Sequence, residues 1–228
     1  DALRGNPNYF ISHMRHNMAR LGGQPMRISM NELSNHDHSR FLTRTNRVIG
    51  RTASKGAEAA NYGVNKGIFM EAVVMQMTWP GAPTIYYGDE AGLCGWTDPD
   101  NRRTFPWGHE DEQLIDFHRE MIRIHKENPA LKRGSYKNIY ADYNILAYAR
   151  FCDDNSVIVI INNNDGEREI SVEAWQAEVL EGDYVEQVMF TMRDGHSCDI
   201  VRHEVPSGIL TVKLPEYSSA VFVKRAGN

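Results

Sequence analysis

With 228 residues, 41% of them hydrophobic and 24% charged, the chain has the composition of a globular protein long enough for one large or two modest domains. Its net charge of −5, with Lys and Arg dispersed among acids, leaves no basic stripe to neutralise phosphates, so no nucleic acid partner is expected. The most apolar stretch, residues 67–77, is too short to cross a bilayer and contains Glu71, so no membrane partner is expected either.

Asn6-Pro7 opens the first predicted helix, a capping side chain followed by a proline whose missing N–H does no harm in the first turn. Ile11, Met14, Met18 and Leu21 then recur at helical spacing until Gly22-Gly23 ends it. Met26, Ile28 and Met30 alternate with polar residues, which predicts a strand running into the polar cluster Asn35-His36-Asp37-His38-Ser39-Arg40. Residues 68–77 are apolar on nearly all sides, as in a helix packed between a sheet and other helices, and Pro80-Gly81 stops them. Residues 82–87 read as a buried strand ending at Gly88-Asp89-Glu90; with the helix between, the two strands form one parallel βαβ unit. A polar, tryptophan-bearing loop at 93–108 precedes a third helix, marked by Leu114, Phe117, Met121 and Ile124.

From Gly134 onward the pattern changes to short β-type runs at 145–151, 157–161, 169–172, 209–214 and 220–224, with Asn164-Asp165-Gly166 as a turn between two of them. This half reads as an antiparallel β-sandwich, and the domain boundary falls between residues 1–133 and 134–228. The three cysteines, Cys94, Cys152 and Cys198, lie far apart and form no zinc spacing. Their odd number favours a reducing, cytoplasmic setting over export, with an extracellular one left open. Asp1 is not an initiator methionine and no signal peptide is visible, so the sequence is expected to begin inside a longer product.

Read without further help, Asn35, His36, Asp37 and Arg40 gather at one strand end and Asp89-Glu90 at another, where parallel α/β folds collect their ligand sites. Asp37 could simply pair with Arg40 to fasten a loop. His36 and His38 alternate but have only carboxylates for company, a poor metal set, and His13 and His16 read as a polar helix face. Asp89 and Glu90, adjacent on a strand end, read as structure rather than a catalytic pair.

The segment Leu33-Ser34-Asn35-His36-Asp37, with Arg40 three residues on, resembles the end of the seventh barrel strand of the α-amylase superfamily (glycoside hydrolase family 13). Pro83 to Glu90 resembles that family's eighth strand, and Asp98-Pro99-Asp100-Asn101-Arg102 with Phe105-Pro106-Trp107 follows in order. The ending Leu214-Pro215-Glu216-Tyr217-Ser218-Ser219-Ala220-Val221-Phe222-Val223 resembles the last strands of the family's β-sandwich. Glu32 departs from the bulky apolar residue usual at its position.

The resemblance implies the C-terminal part of a (β/α)8 TIM barrel, about strands 7 and 8 with their helices, followed by the sandwich. It implies a retaining α-glucan hydrolase of the neopullulanase, cyclomaltodextrinase or α-amylase kind, acting on starch, maltodextrin or cyclodextrin at α-1,4 bonds, with action on α-1,6 bonds left open. Asp37 is then the third catalytic carboxylate, His36 a second contact to the same sugar, and Asp98 with Arg102 a grip on a more distant glucose. Asp98 and Arg102 equally suit a loop-stiffening salt bridge, and Trp96 and Trp107 suit packing as well as sugar stacking. The nucleophile and acid belong to upstream strands, and residues 1–5 would follow the sixth, so the fragment alone is expected to be inactive. It is expected to need the missing half of the barrel or a second copy of itself, because a quarter barrel leaves apolar surface bare. No cofactor is evident; calcium would belong to the parent protein. A transglycosylase or isomerase of the superfamily, or a non-catalytic binding or assembly subunit, is the alternative reading.

Overall fold

The computed structural model describes residues 5–225; the stretch before Gly5, assigned above to the segment after a sixth strand, lies outside the described residues. Helix α1 (Pro7–Leu21) starts where Asn6 Oδ1 accepts the amides of Asn8 at 3.0 Å and Tyr9 at 3.4 Å. Beyond Gly22 the chain departs from the expected strand: residues Gly23–Ile28 form a second helix, α2, and strand β1 is only Met30–Glu32. The alternation of Met26, Ile28 and Met30 misleads because so short a window fits either period. Pro25, with its helix-ready φ, is tolerated in the first turn. Two single-turn helices, α3 (Phe41–Arg44) and α4 (Thr52–Lys55), then lead to α5 (Lys66–Thr78), capped by Asn65 Oδ1 on the Ile68 amide at 3.0 Å.

Strand β2 (Ala82–Thr84) pairs with β1 in parallel, Met30 opposite Ala82 and Glu32 opposite Thr84, with α5 in the crossover. It stops three residues earlier than the apolar run suggests, because its partner offers no further ladder and Gly88 begins a turn. Helices α6 (Glu112–Glu127) and α7 (Pro129–Arg133) follow, the first capped by Asp111.

The remaining chain is antiparallel. Strands β3 (Ser135–Asp142), β4 (Ile145–Cys152), β5 (Asn155–Asn162), β6 (Arg168–Glu173), β7 (Tyr184–Met192), β8 (Gly195–Ser197), β9 (Val201–Glu204), β10 (Ile209–Leu214) and β11 (Ser218–Arg225) build two sheets. The larger runs β3-β4-β5-β11-β7-β8, with β9 also on β7, and the smaller is the pair β10-β6. Every β run expected after Gly134 lies in one of these strands; β3, β8 and β9 carry too many polar residues to stand out, and in β7 Glu186-Gln187 and a bulge at Val188 break the alternation.

The central strands are apolar on both sides because both faces of the large sheet are covered. Tyr148, Val157, Val159, Ile161, Val221 and Val223 join the core under α1, α5 and α6. Their neighbours Ala147, Ile158, Ile160, Ala220 and Phe222 join a second core with Ile170, Val172, Leu210 and Leu214 of the small sheet. Burying one such side chain is worth about 1.5–3 kcal/mol. The helical layer and the large sheet are tied by Arg150 of β4, which donates to the carbonyls of Thr78 at 2.7 Å, Gly134 at 3.2 Å and Ser135 at 3.3 Å. The hydroxyls of Thr78 and Tyr148 meet at 2.6 Å beside the Trp79 ring. Among the described residues no helix is long and apolar enough to cross a membrane.

Candidate active site

The turn after β1 is organised by Asn35. Its Oδ1 accepts the backbone amides of Asp37 at 3.0 Å and His38 at 3.1 Å, a side-chain-closed turn that lifts His36 and Asp37 to its tip. The Asn35 amide is held in turn by Glu32 Oε1 at 2.8 Å, which gives the unusual residue Glu32 a local task. His36 Nε2 and Asp37 Oδ1 lie 3.4 Å apart, with their side chains 60% and 66% exposed. Neither is consumed by the protein's own packing, so both are free to meet a ligand.

Asp37 does not pair with Arg40. The Arg40 side chain turns inward, fully buried, and donates from Nη1 to Asp89 Oδ1 at 3.0 Å and to the Tyr87 carbonyl at 2.5 Å, and from Nε to the Asn101 carbonyl at 2.9 Å. Its guanidinium lies 4.1 Å from the Tyr86 ring centroid and 4.8 Å from that of Tyr87. Burial pushes the Asp89 carboxyl above its usual range, while Ser34 and Arg40 pull it back. Asp89 sits in the turn after β2, not on a strand, and it is the structural anchor of Arg40.

The second loop crosses in front of this buried pair. Asp98 precedes a cis proline and forms an ion pair with Arg102, both side chains about half exposed. The Asp98 hydrogen bond raises the Arg102 guanidinium above its ordinary value, and Thr97, beside Asp98, donates to the Asp37 carbonyl at 2.7 Å, which brings the two loops together. Asp98 and Arg102 hold each other and remain accessible; the arrangement accommodates a stiffening pair and a hydroxyl grip alike. Trp96 is buried and donates to the Gly56 carbonyl at 3.0 Å, a packing role. Trp107 is 78% exposed, its ring 4.5 Å from that of Phe105.

His36, Asp37, Asp98 and Arg102 therefore occupy one open face at the carboxyl ends of β1 and β2. Clefts elsewhere, one of about 260 Å³ beside Tyr9, Phe10 and Met75 and one of about 690 Å³ beside Gln113, Arg193 and Glu216, include none of the four. Among the described residues no group of three or more His, Cys, Asp or Glu could hold a metal ion, and the three thiols are free. The residues that join the two loops, Asn101 and Thr97, have no sequence signal: their partners lie some sixty positions away.

No family model matches the sequence. The amylopullulanase of Thermoanaerobacter thermohydrosulfuricus is 38% identical over 159 residues, covering 64% of this chain and 10% of that protein. Neopullulanase 2 of Thermoactinomyces vulgaris is 37% identical over 143 residues, covering 61% of this chain and 21% of that protein. The chain belongs to the α-amylase superfamily. Among solved structures, the debranching enzyme of Nostoc punctiforme superposes with a TM-score of 0.72 at 23% identity, over 95% of this chain and 40% of that one. The likeness to that solved structure extends the common fold to nearly all of this α-amylase-superfamily chain. The chain spans between about a tenth and a third of the length of the curated relatives it matches.

Proposed function

We propose that this chain is the C-terminal part of the catalytic unit of a retaining α-glucan hydrolase, with β1 and β2 as the seventh and eighth strands of its barrel and the antiparallel half as the domain that follows. The observation that carries the reading is the placement of His36 and Asp37, side by side and exposed after β1, on a turn hydrogen-bonded to the loop that bears Asp98 and Arg102.

In this reading Asp37 accepts hydrogen bonds from the ring hydroxyls of the sugar being cleaved. An ionised carboxylate only accepts, and its bonds strengthen as the glycosyl ring gains positive charge and its hydroxyls become more acidic. His36 contacts the same sugar, and Asp98 with Arg102 presents an acceptor and a planar donor to a glucose further along the chain. Nucleophile and acid come from the rest of the barrel, as does any calcium site. Starch, maltodextrin and cyclodextrin are the substrates proposed.

In the full-length enzyme, Asp37→Asn lowers kcat on maltotriose by about 10²–10³, the scale of losing one preorganised transition-state contact. The chain of 228 residues alone is expected to release no reducing sugar from maltodextrin. A full-length variant with unchanged kcat, or hydrolysis by the isolated chain, sinks the proposal.

A further inference from the structure

Asn101 lies in a short 3-10 turn, Asp100–Arg102, fully buried although it is polar and sits in a run of charged residues. Its Nδ2 donates to two carbonyls of the other loop, Asn35 at 3.1 Å and His38 at 2.7 Å, the residues on either side of His36-Asp37. Of the two carbonyls between them, that of Asp37 is also taken: Thr97 Oγ1 donates to it at 2.7 Å. From within the turn, Asn35 Oδ1 binds the amides of Asp37 and His38. The backbone of the exposed tip is therefore gripped from both sides, and its Cα–Cβ directions have little freedom left.

The Asn101 backbone is fastened in turn, since its carbonyl receives Arg40 Nε at 2.9 Å, and Arg40 is anchored on Asp89. The amide makes this arrangement at a cost, because Asn101 Oδ1 is buried with no partner among the described residues. A residue needed only to close its own loop could do so with one bond and leave no orphan. Two carbonyls bracketing the exposed pair are what this amide serves.

We propose that Asn101, assisted by Thr97, is the positioning residue that sets the Asp37 carboxylate and the His36 ring against the sugar, so that the loop bearing Asp98 and Arg102 and the loop bearing Asp37 act as one rigid surface. This rests on the reading of Asp37 as a transition-state contact. An exposed carboxylate on a turn gains nothing from its charge unless its direction is set beforehand, and a displacement of the order of 1 Å costs about 10²-fold in rate.

The test uses the full-length enzyme with maltotriose, with variants Asn101→Ala, Thr97→Val and Asp37→Asn and the double variant Asn101→Ala/Asp37→Asn, each corrected for its folded fraction. Asn101→Ala is expected to lower kcat about 10²-fold with KM held within about threefold. Thr97→Val, an isosteric change at a half-buried site that keeps the fold, is expected to lower kcat about three- to tenfold. In the Asp37→Asn background, Asn101→Ala is expected to lower kcat by a clearly smaller factor, about tenfold or less, since only His36 is left to position. A merely structural role would instead lower kcat by the same factor in both backgrounds. Equal factors in the two backgrounds, or kcat within twofold of the parent for Asn101→Ala while Asp37→Asn is crippled, overturn the inference and leave the hydrolase reading intact. Should Asn101→Ala not fold, Thr97→Val decides by itself, and kcat within twofold of the parent overturns the inference. Unchanged kcat for Asp37→Asn removes the hydrolase reading and this inference with it.

Discussion

In the antiparallel half, β5 is paired on both sides, with β4 along its length and with β11 from Val157 to Asn162, whereas in the first half β1 and β2 meet over three residues and have no other strand beside them among the described residues. The side chains follow the same division. Phe222 of β11 is fully buried in the core between the sheets, while Met30 of β1 is 63% exposed and Ile28 just before it 77%. A sheet that closes its own ladders and covers both faces is stable by burial; two parallel strands with open edges are held by α5 and by polar contacts from loops. The region with less internal support carries the candidate site.

The comparison is broken most directly by two substitutions. Phe222→Ala is expected to destabilise the chain by about 3–5 kcal/mol in urea denaturation, and Met30→Ser by no more than about 0.5 kcal/mol. Equal losses would mean that the two halves do not differ in this way. In the full-length protein, Met30→Ser should cost more than it does here if β1 faces other strands there.

The same contrast applies to charges within the first half. Asp89→Ala leaves the Arg40 guanidinium buried without its counter-ion and is expected to cost about 3–5 kcal/mol, read from the same denaturation curves. Asp98→Ala breaks an exposed pair and should leave the urea midpoint unmoved. A reversed order would refute the assignment of Arg40-Asp89 as the anchor.

The smallest expected effect concerns a buried carboxyl on the helix that supports the two parallel strands. Glu71 of α5 is buried with one oxygen unpartnered among the described residues, and burial pushes its carboxyl well above the ordinary value of 4.5. The folded chain thus keeps this proton after the unfolded chain has released it. Glu71 costs nothing below pH 4.5 and withdraws stability as pH rises from there toward the folded pKa. Glu71→Gln should therefore raise the thermal midpoint relative to the parent more at pH 8 than at about pH 4. A difference independent of pH would count against the buried, proton-bearing carboxyl.

Residues whose periodicity or capping is local were legible: Asn6 opens its helix, and the apolar runs of β4, β5 and β11 announce strands. Residues 26–30 were misread because three alternating apolar positions satisfy a short helix as well as a strand; β9 was missed because its polar residues hide the pattern, and β7 because Glu186-Gln187 and a bulge at Val188 break its alternation. Of the candidate site, His36, Asp37, Asp98 and Arg102 could be named from two motifs, but their motifs say nothing about what holds them. Arg40 illustrates the limit: beside Asp37 in sequence, it turns to Asp89, and Asn101 reaches back across more than sixty residues to the turn it clamps.

The sequence by itself determined the family likeness, the helices marked by apolar spacing, the change to β-type runs after Gly134, and the motif that carries His36 and Asp37, because these depend on neighbouring residues and their spacing. Only the tertiary structure decided which carboxylate Arg40 neutralises, that Trp96 is packing while Trp107 faces solvent, and that one buried amide joins the two loops of the site. Those outcomes turn on burial and on hydrogen-bond partners far away in the chain. Desolvation makes an unpaired Arg40 or an unsatisfied Asn101 amide costly only once folding has placed them inside.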